Sequence, residues 1–384
     1  MDLKSLQIIC SKNVRLMMIN KYKKIVIKIG SSSIVNPTTK KINSKWMDKL
    51  CKDIEKYHKE KNIIIVCSGA IALGSTLIKS KKSLRKLEDK QAAASVGQIE
   101  LAYQWRKHLK KHKINIAQVL ITLEDSEVRR RYLNARKTIN TLLQKKVIPV
   151  INENDTVATE EIRYGDNDRL AARVAQMIDA DLLVLLSDVD GLYDKNPNKN
   201  KDAKKINEIF KINKLIEKMA NAQKSSLGSG GMITKIAAAK ICMNNGCDTI
   251  ITNSDKTHPL SSISKKNSSI FFSDENPSSS RKQWLLNHLH SSGFIRIDEG
   301  ALKAVINNKS LLPAGITEVG GNFNRGDVIS VYFSKKNKIA IGISAYDINE
   351  AKKIIGKKSK EIPDILGYEG RDEIIHKDDL VKII

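Results

Sequence analysis

The stretch KIVIKIGSSS, residues 24–33, joins a short apolar, largely β-branched run to a glycine and three serines. Six such residues bounded by a turn signal read as a buried strand rather than as an amphipathic helix. Five more runs of the same kind follow: NIIIVC (62–67), INIAQVLIT (114–122), VIPVIN (147–152), DLLVLLS (181–187) and CDTIIT (247–252). Helical patterns lie between them, at 44–60, 127–146, 168–178 and 232–245. Strand–helix alternation of this length predicts an α/β domain whose mostly parallel central sheet is covered by helices on both faces.

The pattern changes after Phe272. SDENPSSSRKQW, with Pro277 and three consecutive serines, reads as a linker. From Gly293 onward the segments are short and punctuated by turns at 313–315, 320–322 and 324–326. VISVYF and KIAIGIS are strand candidates there, and DINEAKKII is a helix. A small β-rich domain is expected. The division expected is an extension at 1–22, flexible or lying ahead of a start at Met17 or Met18; an α/β domain at 23–272; a linker at 273–292; a β-rich domain at 293–372; and a tail at 373–384.

With 384 residues, 41% of them hydrophobic, the chain can build a sizeable core plus a smaller one. No apolar run approaches a membrane span, and Lys12 and Arg15 break the N-terminal apolar stretch, so neither a membrane protein nor a secretory leader is expected. Five cysteines at spacings that fit no zinc site read as reduced thiols of a cytoplasmic protein. The net charge of +25 raises a nucleic-acid reading, but the lysines are scattered among acids as on solvated helix surfaces.

Ligands of open α/β sheets sit at the carboxyl ends of the strands. At the first strand's end, Lys28 within the strand and Gly30 just after it offer a cation and a backbone amide to an anion, or form a strand-end lysine and a plain surface turn. After the second, Ser68 and Gly69 open a helix, where Ser68 is either a cap or part of an anion site. Asn152, Glu153, Asn154 and Asp155 crowd the end of the fourth run and could read an ammonium group and a carboxylate, or make a polar turn. Asp166, Asn167 and Asp168 precede a strongly periodic helix. One of them is expected to cap it, and a carboxylate here could orient cations brought from elsewhere. The Asp190-Gly191 turn with Tyr193 suits the rim of an adenine or ribose site, or simply ends a strand.

SLGSGGMITK, residues 226–235, is glycine-rich and ends in a lysine, yet it satisfies neither G-x-x-x-x-G-K-[ST] nor G-x-G-x-x-G. Two lysines in phosphate-type loops, an acidic cluster and no Walker loop point to phosphoryl transfer by another construction.

In order and spacing, VIKIGSSS, VCSGAIALG, RRYLNARKTI, PVINENDTVAT, YGDNDRLAA, DVDGLY and GSGGMITK resemble the amino acid kinase family, and within it the branch acting on glutamate. IDEGA, LLPAGI, GNFNRGD and ILGYEG resemble a PUA domain. The resemblance implies a three-layer amino acid kinase fold followed by a PUA-like domain. It also implies ATP-dependent phosphorylation of the γ-carboxylate of L-glutamate, the first step of proline biosynthesis, with Mg²⁺. It implies that Lys28 and Lys235 are the transition-state lysines and that Asp168 orients them. Glutamate falls to Ser68, Gly69, Asn152, Asp155 and Asn167. ATP falls to Lys28, Gly30, Ser187, Asp188 and the loop Ser229, Gly230, Gly231, Met232, Ile233, Thr234 and Lys235. No protein metal ligands are expected. Feedback by proline and a homo-oligomer are implied as well. Ser31, Ser187 and Ser229 stand where threonine is often found, which keeps the hydroxyl, and Ile233 replaces a residue that is commonly small or polar.

The chemistry suits these residues. A carboxylate nucleophile is already ionised at neutral pH, so none of the seven histidines is needed as a base. The difficulty is bringing an anion to a polyanion, which cations and amides relieve. Two rivals are an amino acid kinase with another acidic substrate and an RNA-binding protein acting through the PUA-like domain. Residues 293–384 carry 15 Lys and Arg against 13 Asp and Glu, a net of +2, which disfavours RNA.

Overall fold

The structure, a computed structural model, describes residues 19–36, 39, 41–78, 86–158, 166–197, 199–222, 231–273, 291–334 and 337–383. The chain divides into two compact units, residues 1–126 with 135–277, and residues 127–134 with 278–384. The expected linker falls almost wholly outside the described residues, as do residues 1–18.

The elements of the α/β part run β1 (Lys24–Ile29), α1 (Ser31–Ile34), α2 (Ser44–His58), β2 (Asn62–Cys67), α3 (Ala70–Leu77), α4 (Leu87–Lys110), β3 (Ile116–Ile121), α5 (Arg129–Gln144), β4 (Ile148–Glu153) and α6 (Asp166–Met177). They continue with β5 (Leu182–Ser187), β6 (Leu192–Tyr193), β7 (Lys205–Ile206), β8 (Glu208–Ile209), α7 (Lys214–Ala222), α8 (Met232–Met243), β9 (Asp248–Asn253) and β10 (Ser268–Phe271). The eight-stranded sheet has the order β3-β4-β2-β1-β5-β9-β10-β8. Its strand pairs are parallel except β9 with β10. The six apolar runs fall on β1 to β5 and β9.

Strand residues alternate between two faces. Ile25, Ile27, Ile29, Ile63, Ile65, Val184 and Leu186 join Met47, Leu50 and Ile54 of α2 and Leu101, Trp105 and Leu109 of α4 in one core. Val26, Lys28, Val66, Leu183 and Leu185 take the alternate positions, and α6 and α8 pack together and against the sheet there. Leu170, Ala171 and Val174 of α6 and Ile236 and Ala239 of α8 are buried. Each fully buried Leu, Ile or Val contributes about 1.5–3 kcal/mol. Both faces of the sheet are therefore covered, as a parallel sheet with nearly continuous apolar strands requires.

One contact is unusually close. A Cβ built on Gly74 of α3 would lie 1.7 Å from the Ala93 carbonyl oxygen, and one on Gly97 of α4 would lie 1.8 Å from that of Ala70. The two helices touch backbone to backbone, and only glycine fits at these positions.

Packing begins ahead of residue 23. Ile19 and Tyr22 are buried. The buried Lys61 ammonium donates to the Asn20 and Tyr22 carbonyls at 2.8 and 2.7 Å. The Tyr22 hydroxyl donates to Asp248 at 2.7 Å.

The β-rich part comprises β11 (Gly293–Ile297), α9 (Glu299–Ile306), β12 (Ile316–Gly321), β13 (Val328–Tyr332), β14 (Lys338–Ile343), α10 (Ile348–Ile354), α11 (Ile362–Leu366) and β15 (Leu380–Lys382). Its sheet has the order β12-β11-β13-β14-β15. Asp347 caps α10 in a reciprocal box with Glu350, which fixes where that helix starts. The residues expected to form a tail at 373–384 instead include a strand. β15 pairs antiparallel with β14, and Ile374, Ile375, Leu380 and Val381 are buried. Ile374, Ile375 and Leu380 join the main core of this part, and Val381 packs in a second small cluster with Val328, Ile341 and Ile343. Two short helices, α9 and α11, join the single one expected.

Candidate active site

The residues that stop the parallel strands converge at one edge of the sheet. Register places Ile29 of β1 beside Cys67 of β2 and Leu186 of β5, and Ser187 beside Asn253 of β9. β4 ends at Glu153 on the far side of β2.

Lys28 faces α6 because it alternates with the core-facing Ile27 and Ile29. Its ammonium lies 2.6 Å from Asp168 Oδ1. Lys235, from the first turn of α8, lies 3.3 Å from Asp168 Oδ2. Two residues separated by most of the α/β domain thus share one carboxylate. All three are buried, with relative exposures of 8% for Lys28, 5% for Lys235 and 0% for Asp168. Burial alone would raise the Asp168 pKa. The charges of Lys28 and Lys235, with hydrogen bonds from Lys28 and Thr234, outweigh it and hold the carboxyl below its ordinary value.

The helix positions are informative. α6 already starts at Asp166, so Asp166, Asn167 and Asp168 all lie inside its first turn and none is the expected cap. A carboxylate there is favoured by the positive end of the helix dipole. Lys235 has the wrong charge for the first turn of α8, and its pairing with Asp168 offsets that cost.

Asn167 and Ser68 form a second group. The Asn167 side-chain amide donates to the Ser68 hydroxyl at 2.7 Å. Ser68 is therefore not a helix cap. Gly69 occupies the cap position of α3 with φ of +120°, a backbone state that L side chains rarely adopt. The buried Asn167 Oδ1 has no hydrogen-bond partner among the described residues. Asp155 is buried nearby in sequence to β4, and burial pushes its carboxyl up to about 6. A buried carboxylate and an orphaned amide oxygen both call for a donor from a ligand. Asn152, also buried, donates to Gln98 Oε1 of α4 at 2.6 Å. Gln98 was not among the expected site residues. No motif marks it, and only the crossing of α4 over the sheet edge brings it there.

Gly30 stands at the start of α1, and a Cβ there would meet nothing closer than 4.0 Å. Ser33, in the same turn, is tied to Ser254 hydroxyl to hydroxyl at 2.8 Å, which joins this turn to the end of β9. The Ser187 hydroxyl donates to Asp188 at 2.8 Å. The Tyr193 hydroxyl donates to Asp190 at 2.9 Å, and Gly191 makes the intervening turn with φ of +147°. Gly231 is the cap residue of α8, Met232 is buried and Ile233 is exposed. Ser229 and Gly230 lie outside the described residues.

Among the described residues no group of three His, Cys, Asp or Glu side chains could hold a metal, and no helix is long and apolar enough to cross a membrane. Cys51, Cys67, Cys242 and Cys247 are free and buried.

Comparison with known proteins places both parts of the chain in families. Residues 23–253 match the amino acid kinase family, and residues 293–366 match the PUA domain. Glutamate 5-kinase of Paramagnetospirillum magneticum is 48% identical over 94% of this chain and 97% of its own. That of Bartonella henselae is 49% identical over 94% of this chain and 95% of its own. That of Agrobacterium fabrum is 51% identical over 93% and 92%. The chain belongs to the amino acid kinase family and carries a PUA domain.

Proposed function

We propose that this chain transfers the γ-phosphoryl group of ATP to the γ-carboxylate of L-glutamate, giving γ-glutamyl phosphate and ADP, the first step of proline biosynthesis. The observation that carries the reading is the buried Lys28–Asp168–Lys235 triplet at the carboxyl edge of a parallel sheet. Near-full-length similarity to glutamate 5-kinases supports the choice of substrate.

The substrate ammonium binds Asp155 and the orphaned Asn167 Oδ1, and Ser68 and Gly69 hold its carboxylate end. Asn152, steadied by Gln98, closes that subsite. ATP lies over Gly30, Ser187, Asp188 and the start of α8. Lys28 spans the attacking carboxylate and the migrating phosphoryl group. Lys235 meets the charge that develops on the ADP side. Asp168 keeps the two ammoniums close, which at separations of a few ångströms would otherwise be costly. Proton transfer is not required, because the nucleophile is a carboxylate.

The site offers lysines, hydroxyls and amides, and its most buried carboxylate is taken by two cations. That donor set fits a Mg²⁺ ion that would be carried by phosphate oxygens and water and, when bound, would neutralise phosphate charge. Proline, which shares the α-amino and α-carboxylate groups of glutamate, competes at the same subsite. A homo-oligomer in the cytoplasm completes the reading.

The test is ATP-dependent γ-glutamyl hydroxamate formation, with and without proline, together with a coupled assay of ADP release in which glutamate, aspartate, acetylglutamate, carbamate and UMP are compared as acceptors. Turnover on glutamate at least tenfold above the other acceptors is expected. Faster turnover on another acceptor refutes the substrate assignment.

A further inference from the structure

The Thr234 side chain has a task that a nucleotide loop alone does not explain. Its hydroxyl lies 2.8 Å from Asp168 Oδ2 and 2.9 Å from the Gly231 carbonyl oxygen. A hydroxyl has one proton. Of the two acceptors the ionised carboxylate is the stronger, so the proton goes to Asp168.

The partners of Asp168 are unequal. Oδ1 takes a short contact of 2.6 Å from Lys28, whereas Oδ2 takes Thr234 at 2.8 Å and Lys235 at 3.3 Å. The reaction asks Lys235 to turn toward a phosphate oxygen. As it does so, its bond to Asp168 lengthens further. A fully buried carboxylate oxygen that loses its donor is costly, and the carboxylate would rotate to follow the departing cation. A second donor on the same oxygen prevents this.

We propose that Thr234 is a positioning residue for phosphoryl transfer: its hydroxyl anchors Asp168 Oδ2 so that Lys235 can exchange carboxylate for phosphate while Asp168 stays aligned with Lys28. The arrangement also explains the local sequence order. Thr234 and Lys235 are consecutive in the first turn of α8, so a single helix start delivers both groups to one oxygen.

This inference rests on the proposed kinase reaction, and its test separates the two. Wild-type protein is assayed first by hydroxamate formation, and a failure there counts against the substrate reading alone. Thr234→Val, nearly isosteric and without the hydroxyl, is then compared with Thr234→Ser, which restores it. The valine variant is expected to lose about 10- to 100-fold in kcat, as for a lost hydrogen bond to a charged group, with KM for glutamate and ATP changed less than about threefold. The serine variant should recover to within about threefold of wild type. On an Asp168→Asn background, the valine substitution should cost less than about twofold, because the group it anchors no longer carries charge.

Thr234→Ala serves as a second hydroxyl-free variant if valine disturbs packing. The proposal is overturned if the hydroxyl-free variants keep wild-type kcat, if serine is as impaired as valine, or if the loss is undiminished on the Asp168→Asn background.

Discussion

The Asn167 side-chain amide donates to the Ser68 hydroxyl at 2.7 Å, bridging the first turn of α6 and the end of β2. The bond orients Asn167 so that its other polar atom, Oδ1, is buried with no donor among the described residues. Two residues distant in sequence are thereby arranged to leave one acceptor for a ligand.

Substituting Asn167 with Ala removes that acceptor and the bond to Ser68, but leaves the lysine–carboxylate triplet in place. KM for glutamate should rise by about 10- to 100-fold, the range expected for a lost hydrogen bond to a charged group. The KM for ATP should change little. Steady-state kinetics with each substrate varied in turn checks this. A comparable rise in both KM values would show that Asn167 does not belong to the glutamate subsite.

Lys235→Ala addresses the opposite side of the reaction. The ammonium is close enough to Asp168 to be held, yet its 3.3 Å separation is the longer of the two ion pairs. Its loss should lower kcat by about 10²–10³, as for removal of a major transition-state donor. Isothermal titration of glutamate should show affinity within a few-fold of wild type. A variant retaining more than half of wild-type turnover would remove Lys235 from the transition state.

The sequence made the scaffold of this site readable and left several of its contacts hidden. Strands buried on both faces appear as continuous apolar runs, which is why β1, β2, β5 and β9 were visible from residue types alone. α4 was not. Ala93, Ala94, Gly97, Leu101, Trp105 and Leu109 are buried, while Val96, Ile99 and Tyr103 are exposed, so apolar residues surround the helix and blur its period. Gly97 lowers helix propensity further. With α4 unread, Gln98 could not be placed against Asn152. Ser68 and Asp168 were visible as polar residues beside helix starts, where capping is the ordinary explanation. Only the fold shows that the Ser68 hydroxyl accepts from Asn167 and that Asp168 lies inside its helix.

The role proposed for Asp155 at the substrate ammonium carries a pH signature. Burial raises its carboxyl from the usual carboxylate range to about 6. As pH falls through about 6 the group takes up a proton and stops attracting an ammonium ion. KM for glutamate should therefore climb below pH 6, while KM for ATP stays nearly level. For stability the sign is reversed from that of a salt-bridged acid. A raised pKa means the folded protein binds the proton more tightly than the unfolded chain. The ligand-free protein therefore loses stability as pH rises from the unfolded value through about 6. Asp155→Asn should raise KM for glutamate at pH 8 and abolish its acid-side climb, and it should not lower the melting temperature of the ligand-free protein at pH 8. A pH-independent KM in the wild type would separate Asp155 from substrate binding.

The contact between Gly74 and Gly97 links packing to the proposed glutamate subsite. An alanine methyl at Gly97 would stand 1.8 Å from the Ala70 carbonyl oxygen and 2.6 Å from the Gly74 nitrogen. These are all backbone atoms of α3, which cannot give way as a side chain would, so α4 must move away from α3. Overpacking of this kind costs about 1–3 kcal/mol or more. Gln98 is the next residue along α4, and it receives the Asn152 amide at 2.6 Å. A shift of the helix of even half an ångström would stretch that bond. Gly97→Ala should therefore lower the urea midpoint of the kinase transition and raise KM for glutamate together, whereas a surface substitution on the same helix, such as Lys107→Ala, should do neither. Circular dichroism and hydroxamate kinetics on the two variants measure both effects. A Gly97→Ala protein with normal glutamate affinity would break the proposed link between the helix crossing and Asn152, whatever its stability.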